Sequence, residues 1–398
     1  MFKIFARTGA FVSVLFLVST HALPPESLDK PFNEVTFVMT HNSASLRTNE
    51  TKMGNVMRAI IKPLDNFATK KVYNQARNAI QKVTITDPNI VADQQQSIEK
   101  QLADGVRAFK IPMHIRENEA TKLWSCHTLM ERQVDDIIKD ADDKLHNFLP
   151  VKWLREKLLS PIYAIRKDRC MLDSTHKPMI EIFNTINKWL NQNPQEIFSM
   201  YLDVGLTGDQ RKQYGPMVKK MLEDSGLMTK MYVHNPGEPW PTIRQMIDSN
   251  KRFFMYTDNN DWNSFGLYKQ DNIGFGTNYE YKSIEKLAED SNTPKIDWGK
   301  PDQNNIFIID NYITGAVSGN VLEAKKANEY RTLKNRINNY EKLAQRPVTF
   351  IMVDFYDEPS KDVIKLADDL NKISTEQRIG GKAATEPANA LDKMAAAA

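Results

Sequence analysis

The feature that most constrains this chain is its alternation of short apolar strands with amphipathic helical stretches. Runs at Val35–Met39, Val106–Ile111, Leu123–Ser125, Ile197–Leu202, Arg252–Tyr256, Ile306–Ile309 and Val348–Val353 read as strands. Between them, stretches such as Met179–Asn191 and Asp362–Asn371 carry helical periodicity. This order calls for an α/β architecture. An eighth strand near Asn272–Thr277 has a poor pattern. With 398 residues the chain can form one large domain or two ordinary ones.

The first strand runs directly into Thr40-His41-Asn42-Ser43. A proton-transferring cluster at the carboxyl end of a buried strand is where α/β barrels place their chemistry, which makes His41 the leading candidate. Leu123-Trp124-Ser125 delivers His127 in the same local context. Two such histidines are what a general acid and base require, since imidazole titrates near neutrality. Alone, each is more often a hydrogen-bonded structural histidine.

A net charge of +3 with scattered Lys and Arg gives no reason to expect nucleic acid as a partner. Lys3 and Arg7 precede an apolar run from Gly9 to Val18 that ends in small residues, the pattern of a secretory leader over residues 1–22. That run is about half the ~20 residues a spanning helix needs, and no later stretch reaches that length, so export to a secreted or periplasmic location is expected. In an exported chain the two cysteines, Cys126 and Cys170, are expected to be bridged. Metal binding or a reactive thiol at Cys126-His127 is the weaker reading.

Residues 46–92 read as an amphipathic excursion broken near Pro63. It is either a helical cap over a barrel mouth or a basic surface for peripheral membrane contact. Asn49-Glu50-Thr51 is a glycosylation sequon. Ile98 and Leu102 suit a short helix closed by Gly105. In the strand that follows, alternation puts Val106, Ala108 and Lys110 on one face and Arg107, Phe109 and Ile111 on the other. If the first set faces inward, Lys110 sits near the upper rim, as a snorkelling residue or as a charge for an anionic substrate. Residues 379–398 read as a low-complexity, disordered tail.

Thr40-His41-Asn42-Ser43, Gln94 to Ile98 with Gln101-Leu102, Gly105-Val106-Arg107 and Leu123-Trp124-Ser125-Cys126-His127 together resemble the X-region of the phosphatidylinositol-specific phospholipase C superfamily. They are most similar to its secreted, phospholipase-C-like phosphodiesterase branch. The likeness continues through Asn193 to Ile197, Asp203, Trp240-Pro241-Thr242, Arg252, Asn311-Tyr312 and Val353 to Tyr356, and covers most of residues 33–372. It implies a distorted TIM-type (β/α)8 barrel spanning residues 23–378 as a single large domain. By motif position it also implies His41 as base and His127 as acid, acting on phosphatidylinositol or a related glycero- or inositol phosphodiester. Asn42 then takes a phosphate-oxygen contact.

The chain departs from that pattern at Lys110 and Pro112, where relatives carry an acidic residue and either a metal ligand or an arginine. A calcium ion loses two anionic ligands by this change, so no metal or other cofactor is expected. Lys110 becomes the nearest substitute cation for the phosphate, with His114 a further one. Asp203 and Asp354 match acidic positions, and each reads either as an orienting group or as a cap or salt bridge at the barrel mouth. Arg252, Tyr356 and Asn311 are weaker substrate-binding candidates, while His146, His176 and His234 have no motif support. The alternative to an active phosphodiesterase is a barrel of the same ancestry that has lost turnover and binds a phosphorylated headgroup or surface. Headgroup, acyl preference and oligomeric state have no signature in the sequence.

Overall fold

The computed structural model describes residues 22–47, 92–116, 119–128, 175–314 and 320–380, with scattered positions between 135 and 173. The expected leader, nearly all of the 46–92 excursion with its sequon, and the tail from 381 lie outside the described residues.

Eleven strands form one sheet among the described residues. They are β1 (Phe37–Thr40), β2 (Ala108–Ile115), β3 (Leu123–Ser125), β4 (Lys177–Pro178), β5 (Phe198–Val204), β6 (Met231–Tyr232), β7 (Phe253–Thr257), β8 (Gly274–Gly276), β9 (Trp298–Gly299), β10 (Ile306–Asn311) and β11 (Phe350–Val353). Their spatial order is β6-β7-β5-β2-β1-β11-β10-β8-β9, with β3 on β2 and β4 on β3. The eight strands from β6 to β8 pair in parallel. The result is a curled, mainly parallel α/β sheet, the expected eight-stranded barrel in a distorted form. Among the described residues no ladder joins β6 to β8.

Two strand assignments change. Leu123–Ser125 is not a wall strand: it pairs antiparallel with the end of β2, with Met113 opposite Ser125, and makes a hairpin arm above the rim. Its place in the wall is taken by β6, a Met-Tyr pair too short to show any period. The weak segment near 272–277 does supply a wall strand, β8.

Period-two alternation sorts the side chains as the sequence predicts. Phe37, Met39, Ala108, Tyr201, Phe254, Tyr256, Ile306, Ile308, Phe350 and Met352 pack together inside the barrel. Val38, Phe109, Ile111, Met200, Leu202, Ile309 and Ile351 point outward into a second core with the helices. Helix Met179–Gln192 buries Ile182, Phe183, Ile186, Trp189 and Leu190 there, the stripe of an amphipathic helix. Burying each such side chain contributes about 1.5–3 kcal/mol.

The amino end of the barrel is plugged. Phe32 stacks on Trp240 at 4.7 Å and on Phe37 at 5.2 Å, and meets Phe254 edge-on at 5.6 Å. Backbone bonds from Phe32 N to Pro241 O and from Arg244 N to Leu28 O, at 2.9 and 2.8 Å, hold this segment across the opening. The last described helix, Thr375–Ile379, closes on the same pole. Its Arg378 binds Glu341 and donates to Thr36 Oγ1 at 2.8 Å, all three side chains being buried. Thr375 Oγ1 donates to Glu34 at 2.7 Å. Loss of one partner of the buried Arg378–Glu341 pair would strand a charge at a cost of about 3–5 kcal/mol.

Candidate active site

Register builds the site. Thr40 is opposite Val353 and Phe109, Asn311 is opposite Val353, and Lys110 is opposite Tyr201. One residue past these pairs, His41, Asp354 and Tyr312 fall level with Lys110 and Tyr201. Together they make a polar layer immediately above Met39 and Met352, which are level with Asp310.

His41 is held on all sides. Its Nδ1 lies 2.9 Å from Asp354 Oδ1 and 3.8 Å from Asp93 Oδ2, and its ring stacks on Tyr312 with centroids 4.0 Å apart. Its N–H donates to Val353 O at 2.9 Å, and its carbonyl accepts from Gln94 Nε2 at 2.9 Å. Both flanking turns are strained: Asn42 has φ 45° and Phe355 has φ 44°. Asn tolerates the left-handed region, whereas for a bulky Phe it costs about 1–3 kcal/mol and is retained where the surroundings over-determine it.

Asp93, outside every earlier expectation, joins the two histidines. Its Oδ2 accepts from Asn42 Nδ2 at 2.6 Å and lies 3.2 Å from His127 Nδ1. The His41 and His127 rings are 6.3 Å apart between centroids and inclined at 64°. Burial would raise the Asp93 carboxyl, but His127, His41 and the Asn42 amide outweigh it and hold Asp93 well below the carboxylate range. Burial and the ionised Asp93 push Asp354 well above that range. Burial, with Lys110 next, drives His41 well below the usual imidazole value. An ionised Asp354 accepts from His41 Nδ1–H and leaves Nε2 its lone pair, whereas a neutral carboxyl there donates to Nδ1 and puts the imidazole proton on Nε2. Ionised Asp93 provides the counter-charge for an imidazolium at His127.

Beside the histidines opens a cleft of about 240 Å³, lined by Lys110, Tyr201, Asp203, Asp258, Asp310 and Tyr312 among others. Lys110 Nζ lies 3.1 Å from an Asp203 carboxylate oxygen. Burial opposes both charges, yet the pair sustains them, with Lys110 raised and Asp203 lowered. Burial lifts Asp258 and takes Asp310 to about 7. Three carboxyl groups thus face one ammonium, with Asp203 the one held ionised.

His41, Asp93 and Asp354 each offer one ligand atom within 4.8 Å of the others. Those atoms are already engaged with one another, Asn42 and His127, and Lys110 raises the positive potential nearby. Calcium takes six to eight oxygen ligands, and this donor set does not fit it.

The family described as PI-PLC X 1 matches residues 162–371, a little over half of the chain. The chain belongs to the PI-PLC X family. A PI-PLC X domain-containing protein of Arabidopsis thaliana is 21% identical over 227 residues, covering 57% of this chain and 36% of its own length. The chain thus spans about a third of that relative. Among solved structures, the phosphatidylinositol-specific phospholipase C of Listeria monocytogenes aligns over 90% of this chain and 99% of its own at 14% identity and a TM-score of 0.49. An F249X mutant of the Staphylococcus aureus enzyme aligns over 87% and 95% at 10% identity and a TM-score of 0.45. The PI-PLC X match takes in Asp203, Arg252, Asp354 and Tyr356 but neither histidine.

Of the residues singled out in this PI-PLC X chain, the fold brings His41, His127, Asp354 and Asn42 together, and sets Lys110 and Asp203 in the adjoining cleft. Asn42 engages Asp93 rather than open space. His114 lies four residues beyond Lys110, above the rim, where a β-carbon on Gly205 would fall 2.0 Å from its ring. Two assignments are corrected. Arg252 precedes β7 at the plugged end of the barrel, where it donates to Leu190 O, Asn193 O and Glu196 O. Tyr356 turns its hydroxyl to Asp104 at 2.8 Å, away from the cleft. Asn311 donates to Ala327 O at 3.1 Å. The sequence reading missed Tyr201, Asp310 and Tyr312 as cleft residues, although each sits at even spacing from an inward strand position.

Proposed function

We propose that this PI-PLC X protein is an exported phosphodiesterase that cleaves phosphatidylinositol or a related glycero- or inositol phosphodiester by general acid/base catalysis. The observation that carries the reading is the pair of facing imidazoles, 6.3 Å apart, one poised as a base by Asp354 and the other set against Asp93. His41 Nε2 takes the proton of a headgroup hydroxyl beside the phosphodiester, and that oxygen attacks phosphorus. As the bond to the leaving alcohol breaks, His127 donates the proton the departing oxygen needs. The products are a cyclic phosphodiester and a free alcohol, and water opens the ring with the two roles reversed. Each proton transfer contributes typically about 10²–10⁴-fold. Lys110 supplies positive charge for the phosphate oxygens. A lipid substrate is met at a membrane surface, and no described helix is long and apolar enough to cross one.

A second reading, a barrel that binds a phosphorylated headgroup without turnover, is favoured by one observation. The cleft cation Lys110 is already paired with Asp203, and Pro112 adds no other. Product analysis with phosphatidylinositol and a soluble analogue separates the two, with the parent compared against His41→Ala and His127→Ala. A cyclic or ring-opened inositol phosphate from the parent, lost in both variants, supports the first reading. Absence of both products with and without calcium leaves the binding role.

A further inference from the structure

His41 and its hydrogen-bonded partner Asp354 adjoin strands of the barrel wall, but His127 does not. It follows the short arm β3, and three residues outside the wall set its position. Cys126, immediately before it, is bonded to Cys170. Three residues on, Asp173 is buried and accepts from His127 N at 2.9 Å through Oδ2. The other oxygen of Asp173 accepts from Thr175 N at 2.8 Å. Thr175 then reaches the loop that follows His41: its hydroxyl accepts from Leu46 N at 2.9 Å and lies 3.0 Å from Ala44 O. His176 closes the end of the segment, with Nδ1 2.6 Å from Asp173 O and its ring edge-on to Trp124 of the arm.

One short segment therefore touches both histidine-bearing loops and is covalently tied next to one of them. Resting on the two-histidine reading, we infer that Cys170, Asp173 and Thr175 act as a strap that sets His127 against His41, so that the acid half of the reaction depends on the Cys126–Cys170 bond. Asp173 and Thr175 are positioning residues, since they act through His127 and the His41 loop. A dithiol that delivers two electrons and two protons turns the bridge into two thiols and leaves as its own disulfide. His127 then loses its covalent tether, while the His41–Asp354 pair and the cleft keep theirs. A displacement of about 1 Å at a proton-transfer group is enough for a loss of about 100-fold.

The test uses two substrates with the same inositol phosphate headgroup, one losing an alkyl alcohol and the other 4-nitrophenol. The nitrophenolate leaves without a proton, so it needs no acid. Complete reduction by a dithiol, verified by thiol titration, is expected to lower kcat about 100-fold for the alkyl substrate and less than about threefold for the nitrophenyl one. Asp173→Ala should repeat that split. Asp173→Asn keeps one acceptor for His127 N but sets its NH2 against Thr175 N, and should recover only part of the alkyl rate. An unchanged alkyl rate in the reduced protein, or an equal fall with both substrates, overturns the strap. Imidazole NMR of the resting protein decides the same point without turnover: reduction should move the His127 signals and leave those of His41 in place. Unmoved His127 signals sink the strap even in a protein that cleaves nothing, whereas absence of turnover in the parent counts only against the proposed activity.

Discussion

Replacing Asp354 by Asn should drive activity and stability in opposite directions. Asp354 Oδ1 lies 2.9 Å from His41 Nδ1 and is buried. An amide there can offer an N–H to Nδ1 at every pH, as the carboxyl does only while it is protonated, and this moves the imidazole proton to Nε2 and removes the base. The loss expected is that of one general base, about 10²–10⁴-fold in kcat, or about 3–5 kcal/mol at 1.36 kcal/mol per decade. Stability follows from linkage. Burial and the charge on Asp93 hold the native Asp354 carboxyl well above its unfolded value. The unfolded chain therefore releases this proton at lower pH than the native one, and the group's contribution to stability falls as pH rises from about 4 towards the native value. Asn ionises in neither state and removes that loss, so the variant should melt at or above the parent temperature at pH 7. Kinetics by phosphorus NMR beside thermal melts would check both. A loss below tenfold, or a melting temperature that drops in step with activity, refutes this account of the Asp354–His41 pair.

Three further outcomes are expected. His234 is buried against Trp240 at 3.6 Å, and burial takes its imidazole down to about 4. The native state resists its protonation, so stability should fall as pH drops from 6.5 to about 4, by about 3 kcal/mol in total; urea midpoints of the parent and His234→Phe would show the slope in the parent alone. The cleft sets Lys110 against the ionised Asp203 and two further carboxyl groups, so a headgroup bearing phosphates besides the scissile one should be cleaved at least about tenfold more slowly, by competition kinetics on mixed vesicles at a pH above 7, where Asp310 is ionised. Comparable rates would count against that cleft as the headgroup site. Gly205→Ala sets a methyl 2.0 Å from the His114 ring and should destabilise by about 1–3 kcal/mol in chemical denaturation, since neither side can yield without shifting the β2 rim.

How much of this was legible depended on period. Strand interiors with several alternating residues, such as Phe109 and Ile111 against Ala108 and Lys110, announced their faces because a parallel wall packs one face on helices and the other on the barrel axis. The bridge between Cys126 and Cys170 followed from there being two cysteines in a chain with an export leader pattern. Three-residue segments carried no such information. Leu123–Ser125 looked like any other strand, and only its partner decides that it runs antiparallel on an arm. Asp93 was opaque for a different reason: it opens a polar run with no period, and its meeting with both histidines depends on contacts between loops 34 to 52 residues apart. Arg252 was misplaced despite a readable signal, since a residue that precedes its strand belongs to the amino end, away from the chemistry of a barrel.

The aromatic plug and the closing helix have a practical consequence. The segment around Phe32 and the helix Thr375–Ile379 cross the same pole, joined by Thr375 to Glu34 and by Lys30 Nζ to Asn371 O at 2.8 Å, while the histidines open at the other. A partner joined directly at the amino-terminal plug or at the end of this helix is therefore attached behind the barrel. The domain is suited to insertion into a surface loop of a host protein, or to tethering on a bead by either end, with its cleft turned towards the solution.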